Sequence, residues 1–312
     1  MSTNFAKGLS VYGAPILPSV GGRMTTGNVF FVGSTSTEDS DAPSSGSNKN
    51  TPFTTMDYAV GRMTANNGDI MIVMPGHVET VTAAAGLALD VAGITIIGIG
   101  NGTNKPKINF TTAVGASMKT TAANIEMENF QFTGGIDALT NPIHVAAADF
   151  KLRNWTYTDV TGQATDVVLT TAAADRMELA YFDYDGATAA GTNAGIALVG
   201  GDGIKIHDFF MDGNFAVGGI DVRTTATTDL KVWNVPYFRT RNAADIFLVD
   251  TITASTGSIG PEIYLRLQDN AANITEAITG ATFVLHQKIS VVNLANEVGM
   301  EINWTASTDA IV

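Results

Sequence analysis

Five segments between residues 124 and 249 repeat one pattern of apolar residues, and this repeat constrains the fold more than any other feature. The units begin at residues 125, 150, 177, 204 and 230, so the spacings are 25, 27, 27 and 26 residues. They read Ile125-x-Met127-x-x-Phe130-x-Phe132, Phe150-x-Leu152-x-x-Trp155-x-Tyr157, Met177-x-Leu179-x-x-Phe182-x-Tyr184, Ile204-x-Ile206-x-x-Phe209-x-Met211 and Leu230-x-Val232-x-x-Val235-x-Tyr237. A fixed period of this length is typical of solenoids, in which each repeat packs on its neighbours.

Each unit predicts two short strands that meet at a corner. Apolar residues alternate within each pair, which is the strand pattern, and the extra residue between the pairs changes the face that the chain presents. The corner residues are Asn129, Asn154, Tyr181, Asp208 and Asn234. Asn and Asp tolerate the left-handed backbone that a tight corner needs, so only Tyr181 departs from the rule.

A third apolar strand follows each unit start by 16 to 19 residues, beginning with Ile143 and ending with Ile246 and Leu248. Three strands per turn define the coil. The fold class is therefore all-β: a single-stranded, right-handed parallel β-helix with three strands per coil and about eight coils over residues 68–270. The interior of such a coil is apolar, so the aromatic residues of the repeat are interpreted as core and not as a sugar-binding platform.

The segments before and after the repeat are interpreted as its ends. Residues 29–67 are expected to form an entry strand at Val29–Val32, a polar loop and a capping helix that begins at Pro52 after a Thr51 cap. Residues 271–312 depart from the period and are expected to form a separate C-terminal β cap or an oligomerisation segment. Both ends of a coil stack need covering, because they expose apolar interior and open strand edges.

Residues 1–28 are predicted to be an extended N-terminal arm. Glycine and proline in this segment prevent an independent core, yet its apolar side chains are too many for a solvated tail. We expect the arm to bury these residues against neighbouring copies or another partner. The expected assembly contacts are Phe5, Leu9, Val11, Tyr12, Ile16 and Leu17.

Charge and composition exclude several classes of function. The formal net charge of −13 repels phosphate backbones, so nucleic acid is not an expected partner. No cysteine is present, which leaves no disulfide and no thiolate metal site. The sequence also has no apolar run long enough to cross a membrane, and its start does not read as a secretory signal.

Two stretches near the start resemble a known family. Residues 51–59 read Thr-Pro-Phe-Thr-Thr-Met-Asp-Tyr-Ala, and residues 68–77 read Gly-Asp-Ile-Met-Ile-Val-Met-Pro-Gly-His. Together they resemble the opening coil of pectin-lyase-like β-helix proteins, in the form found in tailed-bacteriophage particles. The segment from Gly8 to Pro15 is similar to the start of such phage proteins, and the resemblance extends to about residue 110. It implies a fold shared by polysaccharide lyases, tailspike depolymerases and structural virion proteins.

Candidate catalytic residues are few. Asp185 and Asp212 are 27 residues apart, so stacked coils would place them roughly 5 Å from each other, as a hydrolase pair requires. Both precede a glycine, which is ordinary turn chemistry, and we interpret them as turn residues. Asp221 and Arg223 come nearest to a lyase site but read as a solvated face. The four histidines share no metal-ligand spacing, so we expect neither a metal nor a cofactor.

Two functions remain open at this point. The first is a structural virion protein, a capsid decoration or cement protein that is not an enzyme. The alternative is a tailspike or fibre component that binds and cleaves host surface polysaccharide, which would predict an acidic groove with exposed aromatic residues. The resemblance implies capsid or other virion proteins as partners, a homo-oligomer with the trimer favoured, and a location in the virion after assembly in the host cytoplasm.

Overall fold

The computed structural model describes residues 9–11, 14–16, 25–34, 39–159, 165–187, 192–241, 247–267, 277–278, 282–286 and 289–293. Within these residues there are one α-helix, α1 (Met56–Val60), and one 3₁₀ turn, Gly102–Asn104. The strands are β1 (Leu9–Val11), β2 (Ala14–Ile16), β3 (Val29–Val32), β4 (Ile70–Val73), β5 (Val78–Thr80), β6 (Leu87–Leu89), β7 (Thr95–Gly98), β8 (Lys107–Phe110), β9 (Met118–Thr120), β10 (Glu126–Gly134), β11 (Ile143–Val145), β12 (Lys151–Thr158), β13 (Val168–Thr170), β14 (Glu178–Asp185), β15 (Ala194–Leu198), β16 (Lys205–Gly213), β17 (Gly218–Val222), β18 (Leu230–Trp233), β19 (Val235–Thr240), β20 (Leu248–Asp250), β21 (Thr256–Ile259), β22 (Ile263–Leu267), β23 (Ala277–Ile278), β24 (Thr282–Leu285) and β25 (Ile289–Asn293).

These strands stack in parallel along three lines, which confirms the predicted right-handed parallel β-helix. Line A consists of β3, β4, β7, the first halves of β10, β12, β14 and β16, then β18, β21 and β24. Line B consists of β5, β8, the second halves of the same four long strands, then β19, β22 and β25. Line C is an eight-stranded sheet of β6, β9, β11, β13, β15, β17, β20 and β23. The solenoid has about seven turns.

The repeat alignment is confirmed for the first four units, and in the fifth unit it holds as far as Val235. Beyond Val235 the alignment is wrong, because Phe238 and not Tyr237 takes the inward position beside Met211. The five unit starts are all fully buried, and the amide after each of the later four donates to the carbonyl of the start one coil below. They form one inward column of Ile125, Phe150, Met177, Ile204 and Leu230. Because successive coils repeat the same inward positions, a single apolar core extends through the stack.

The predicted corner geometry is also confirmed. All five corner residues have a positive φ, between 49° and 69°. Four of them are Asn or Asp, whose short side chains tolerate this conformation. At the first four corners one strand continues from line A into line B, whereas at Asn234 β18 ends and β19 begins one residue later.

The capping helix is present, but the predicted helix start is wrong. The helix begins at Met56, capped by the Thr55 hydroxyl, which accepts a hydrogen bond from the Tyr58 amide at 3.3 Å. Phe53 instead bridges to Val32 as extended backbone. The Asp41 carboxylate accepts hydrogen bonds from the amides of residues 54 and 55, which holds this segment extended. The helix buries its apolar face on the first coil, as expected of a cap.

The entry strand β3 is the first rung of line A, because it pairs in parallel with β4. The segment just before it is anchored to the coil as well: the Thr25 hydroxyl donates to the Gly68 carbonyl, and the Asn28 amide donates to buried Asp69 at 2.6 Å. The predicted arm therefore ends earlier than residue 28. Nearer the start, β1 and β2 pair antiparallel, so this part of the arm is a hairpin and not a single extended segment.

The predicted separate C-terminal cap is wrong over the part of 271–312 that the structure describes. β23, β24 and β25 each pair in parallel with a strand of the preceding coil. Phe283 and the strand from Ile289 thus continue the stack, since their apolar alternation fits the same three lines. Residues 294–312 lie outside the described residues. No helix in the described ranges is long and apolar enough to span a membrane.

Candidate functional site

An acidic groove lies on the outward side of line B, near the middle of the solenoid. We define the acidic groove as Asp183, Asp185, Phe210, Asp212 and Tyr237, which line an open depression of about 500 Å³. Asp183 and Asp185 are outward residues of β14, and Asp212 is an outward residue of β16 one coil further along. The groove exists because outward positions on adjacent rungs stack at the strand spacing of about 4.8 Å.

The interpretation of Asp185 and Asp212 as turn residues is wrong. Both are strand residues, and they are register partners in the β14–β16 ladder. The strands extend through these positions because each later rung continues to pair with the one before it. The structure thus brings the two carboxylates onto one face at neighbouring rungs, as the hydrolase alternative required.

The sequence reasoning missed Asp183. It lies two residues before Asp185 on the same strand and is the register partner of Phe210. The signal was present in the alternation Phe182-Asp183-Tyr184-Asp185, in which inward aromatic residues flank an outward carboxylate. Alternation of this kind places both carboxylates on the outer face.

The two strands give their carboxylates different surroundings. The Arg241 guanidinium donates to both oxygens of Asp212, with Nε–Oδ1 at 3.0 Å and a second nitrogen to Oδ2 at 2.9 Å. Arg239 adds a longer contact of 3.7 Å to the same carboxylate. Bidentate pairing of this kind fixes the position and orientation of the Asp212 carboxylate.

Asp183 lies in the opposite environment. Partial burial raises the pKa of its carboxyl group, and the nearby charges of Asp185 and Asp212 raise that pKa further. Among the described residues, neither the Asp183 carboxyl group nor the Asp185 carboxyl group has a hydrogen-bond or ion-pair partner. The groove thus combines a carboxyl group whose pKa is raised with a carboxylate in a bidentate arginine pair, and unlike surroundings of this kind are characteristic of acid–base pairs.

Aromatic residues are exposed along the same column. Phe210 is 49% exposed, Tyr237 is half-buried on the next rung, and Tyr264 is exposed one rung further. Flat apolar surfaces beside polar groups are the usual composition of a carbohydrate-binding or other ligand-binding cleft. These three rings lie on successive rungs, so the surface that they form extends along the solenoid axis.

The aromatic residues of the first four repeat units lie inside, as predicted, whereas Tyr237 of the fifth unit lies outward in the acidic groove. Trp155, Tyr157 and Tyr184 are at most 2% exposed. Trp155 stacks on Phe182 with ring centroids 4.5 Å apart, and Tyr157 stacks on Tyr184 at 5.5 Å. These rings stabilise the core and are not accessible to a ligand.

The interpretation of Asp221 and Arg223 as a solvated face is wrong. Asp221 is 5% exposed, and Arg223 pairs with both Asp221 and buried Asp166. Burial raises the pKa of both carboxyl groups. No cluster of three His, Cys, Asp or Glu in the described ranges has the geometry to hold a metal ion. Of the predicted arm contacts, Phe5, Tyr12, Leu17 and the side chains of Leu9, Val11 and Ile16 lie outside the described residues.

No family model and no curated protein matches this sequence. Among solved structures, a rhamnogalacturonan lyase is similar, with a TM-score of 0.43 and 12% identity over 91% of this chain and 90% of that chain. These comparisons lend no support to a phage origin or to capsid decoration. The trimer and the location in a virion stay predictions.

The sequence led us to expect that the chain is not an enzyme, whereas the similar structure is that of an enzyme, and that expectation is withdrawn. It depended on Asp185 and Asp212 being turn residues. Both are register partners on strands, and Asp183 lies beside them.

Proposed function

We propose that this protein binds a polysaccharide along the outward face of line B and hydrolyses it at the acidic groove. One observation carries the proposal: Asp183 has a raised pKa and lies on the same face as Asp185 and the arginine-paired Asp212. A hydrolase of glycosidic bonds needs one carboxyl group that keeps its proton and one that is ionised. The exposed ring of Phe210 and the half-buried ring of Tyr237 supply the apolar surface on which sugar rings can stack.

In this scheme Asp183 is the general acid. Its proton passes to the glycosidic oxygen as the bond to the anomeric carbon breaks. Asp185 is the general base, which takes a proton from the water molecule that attacks the same carbon from the opposite side. The two residues are two positions apart on one strand, so their backbones are roughly 6.6 Å apart. Inverting glycosidases hold their two carboxyl groups about 6.5–9.5 Å apart, which leaves room for a water molecule, and side chains that project side by side from this backbone spacing suit that arrangement.

Asp212 and Arg241 act on this pair electrostatically. Asp212 is the register partner of Asp185, and its bidentate contact with Arg241 holds its carboxylate at a fixed position. A fixed negative charge near Asp183 favours the protonated form of that acid. Asp212 is therefore a positioning residue for the protonation state of Asp183, and not a proton donor itself.

The test uses purified protein with capsular polysaccharide and lipopolysaccharide O-chains. Wild-type protein should release new reducing ends, and NMR of the first product should show inverted anomeric configuration. Asp183→Asn and Asp185→Asn should each lower the rate by about 10²-fold or more, the usual contribution of a general acid or base. Asp90→Asn is the matched control, because it removes an exposed carboxylate near the capped end of the solenoid.

Two outcomes would contradict the proposal. Undiminished release of reducing ends by Asp183→Asn would show that the acid is elsewhere. Unsaturated products from the wild-type protein would show an elimination reaction, which needs a base but not this acid–base pair.

A further inference from the structure

The corner residues form a hydrogen-bonded ladder that is interrupted at one rung. The Asn129 amide donates to the carbonyls of residues 98 and 100, and the Asn154 amide donates to the Asn129 side chain at 3.0 Å. Beyond the rung of Tyr181, the Asn234 amide donates to the Asp208 carboxylate on the rung before its own. Tyr181 occupies the rung between these two pairs and cannot continue the amide ladder, so the ladder stops on either side of it.

Tyr181 is unfavourable at this position for a local reason as well. Its φ is +54°, a left-handed conformation that a bulky residue rarely adopts and that Asn adopts readily. Its side chain is 58% exposed, so little apolar burial compensates. Among the described residues, its hydroxyl has no hydrogen-bond partner. A residue held in an unfavourable conformation without structural compensation suggests a functional constraint.

Tyr181 belongs to a group of three rings on successive coils. We define the corner patch as Tyr181, His207 and Trp233. The His207 ring stacks on Trp233 with centroids 4.1 Å apart and an interplanar angle of 12°, and it meets Tyr181 edge to face at 5.9 Å and 80°. The Asp208 carboxylate lies 2.6 Å from His207 Nδ1, which fixes the imidazole in place.

The corner patch combines the two kinds of contact that bind sugars. The exposed Tyr181 ring offers a flat apolar face, and the carboxylates of Asp208 and Glu178 lie beside His207, at 2.6 and 3.7 Å from its nitrogens. Pyranose rings present an apolar face of C–H groups and an edge of hydroxyl groups. A ring with adjacent hydrogen-bond acceptors matches both surfaces.

The corner patch is continuous with the acidic groove. Tyr181 precedes Asp183 by two residues on β14, and His207 precedes Phe210 by three residues on β16. Asp183 and Phe210 are themselves register partners. A glycan seated in the acidic groove therefore reaches the corner patch within about one sugar length, given a rise of about 3.3 Å per residue.

We propose that the corner patch is a second sugar-binding subsite, in which Tyr181 stacks on a pyranose unit of the same glycan that occupies the acidic groove. This inference rests on the proposed function and adds a recognition element outside the reacting carboxylates. It explains why the corner rule is broken at this rung: Asn there would complete the ladder but would remove the stacking surface.

The central experiment is Tyr181→Asn, which restores the residue type of the other corners. All proteins have the Asp183→Asn background, so that bound glycan is not consumed. Gel-embedded dextran, galactomannan, polygalacturonate and bacterial capsular polysaccharide serve as probes in affinity electrophoresis. For a polysaccharide that retards the Asp183→Asn protein, Tyr181→Asn should weaken the affinity about tenfold. The same variant should melt about 1–3 °C higher, because it relieves the left-handed tyrosine.

Two further variants separate binding from folding. Tyr181→Phe keeps the ring and the strained backbone, so its affinity and melting temperature should match those of the parent. Trp233→Leu removes the support of His207 and should also weaken binding. Unchanged affinity in Tyr181→Asn would overturn the subsite. A lower melting temperature in Tyr181→Asn would overturn it independently, because it would assign Tyr181 a structural role.

The outcomes also separate this inference from the proposed function. If a polysaccharide is bound and Tyr181→Asn weakens that binding, but the wild-type protein cleaves nothing, the hydrolase proposal fails while the subsite stands. If cleavage depends on Asp183 but binding does not depend on Tyr181, the subsite fails while the hydrolase proposal stands. If none of the four polysaccharides retards the protein, both fail.

Discussion

Removing the Phe182 ring should show how much the internal aromatic stack stabilises the solenoid. Phe182 is 2% exposed and lies between two parallel rings, Trp155 at 4.5 Å and Phe209 at 4.6 Å. Truncating a buried phenylalanine to alanine costs about 3–5 kcal/mol, and each lost ring pair adds about 0.5–1.5 kcal/mol. Phe182→Ala should therefore lower the free energy of unfolding by about 5 kcal/mol.

A conservative pair of variants isolates the stacking contribution. Phe182→Leu keeps most of the side-chain volume but loses both ring contacts. Phe150→Leu is the matched control, because Phe150 is fully buried yet has no ring partner among the described residues. Repacking alone usually costs less than about 1.5 kcal/mol. The difference between the two variants should be about 1–3 kcal/mol, from two ring pairs.

The assay is urea unfolding followed by circular dichroism, with thermal unfolding as a second measurement. Unfolding entropy is about 2.1 cal/mol/K per residue. For 312 residues this gives about 1.5 °C of melting temperature per kcal/mol, so Phe182→Ala should melt about 7 °C lower. Equal losses in Phe182→Leu and Phe150→Leu would refute the reasoning, because the stack would then contribute nothing beyond apolar burial.

Three further outcomes follow from the structure. Burial raises the pKa of Asp221, so the folded state holds that proton more tightly than the unfolded state. The stabilisation by this residue is therefore complete below the ordinary aspartate pKa and is lost as the pH rises through the raised value. The urea midpoint of the wild-type protein should fall over that pH range, and the midpoint of Asp221→Asn should lack this fall. Asn129→Ala should lower the free energy of unfolding in urea by about 1–3 kcal/mol, because two carbonyl groups lose their hydrogen-bond donor and a residue suited to φ = 69° is removed. Deleting residues 1–24, which spares anchored Thr25, should leave a cooperative β-rich melt but weaken self-association in sedimentation velocity; unchanged association would contradict the arm prediction.

The coil period could be read from the sequence because the interior of a solenoid repeats. Ile125 and its four counterparts meet the same surroundings in every coil, so each position selects the same kind of residue and the period becomes visible. The corners were predictable for a similar reason: a left-handed backbone favours Asn and Asp at any rung. Both signals come from local backbone geometry and from nearest-neighbour packing.

The acidic groove depended on contacts that no repeat encodes. Outward residues need not match from coil to coil, so Asp183 and Phe210 are register partners of unlike type. The partner of Asp212 is Arg241, which follows β19 one coil later and lies outside the repeated positions. The helix start at Met56 likewise depended on the distant Asp41 carboxylate. The sequence by itself determined the coil, its register and its interior, because these follow from burial at a fixed period. Only the tertiary structure decided which exposed charges meet, because their positions depend on side chains from different coils that no local rule relates.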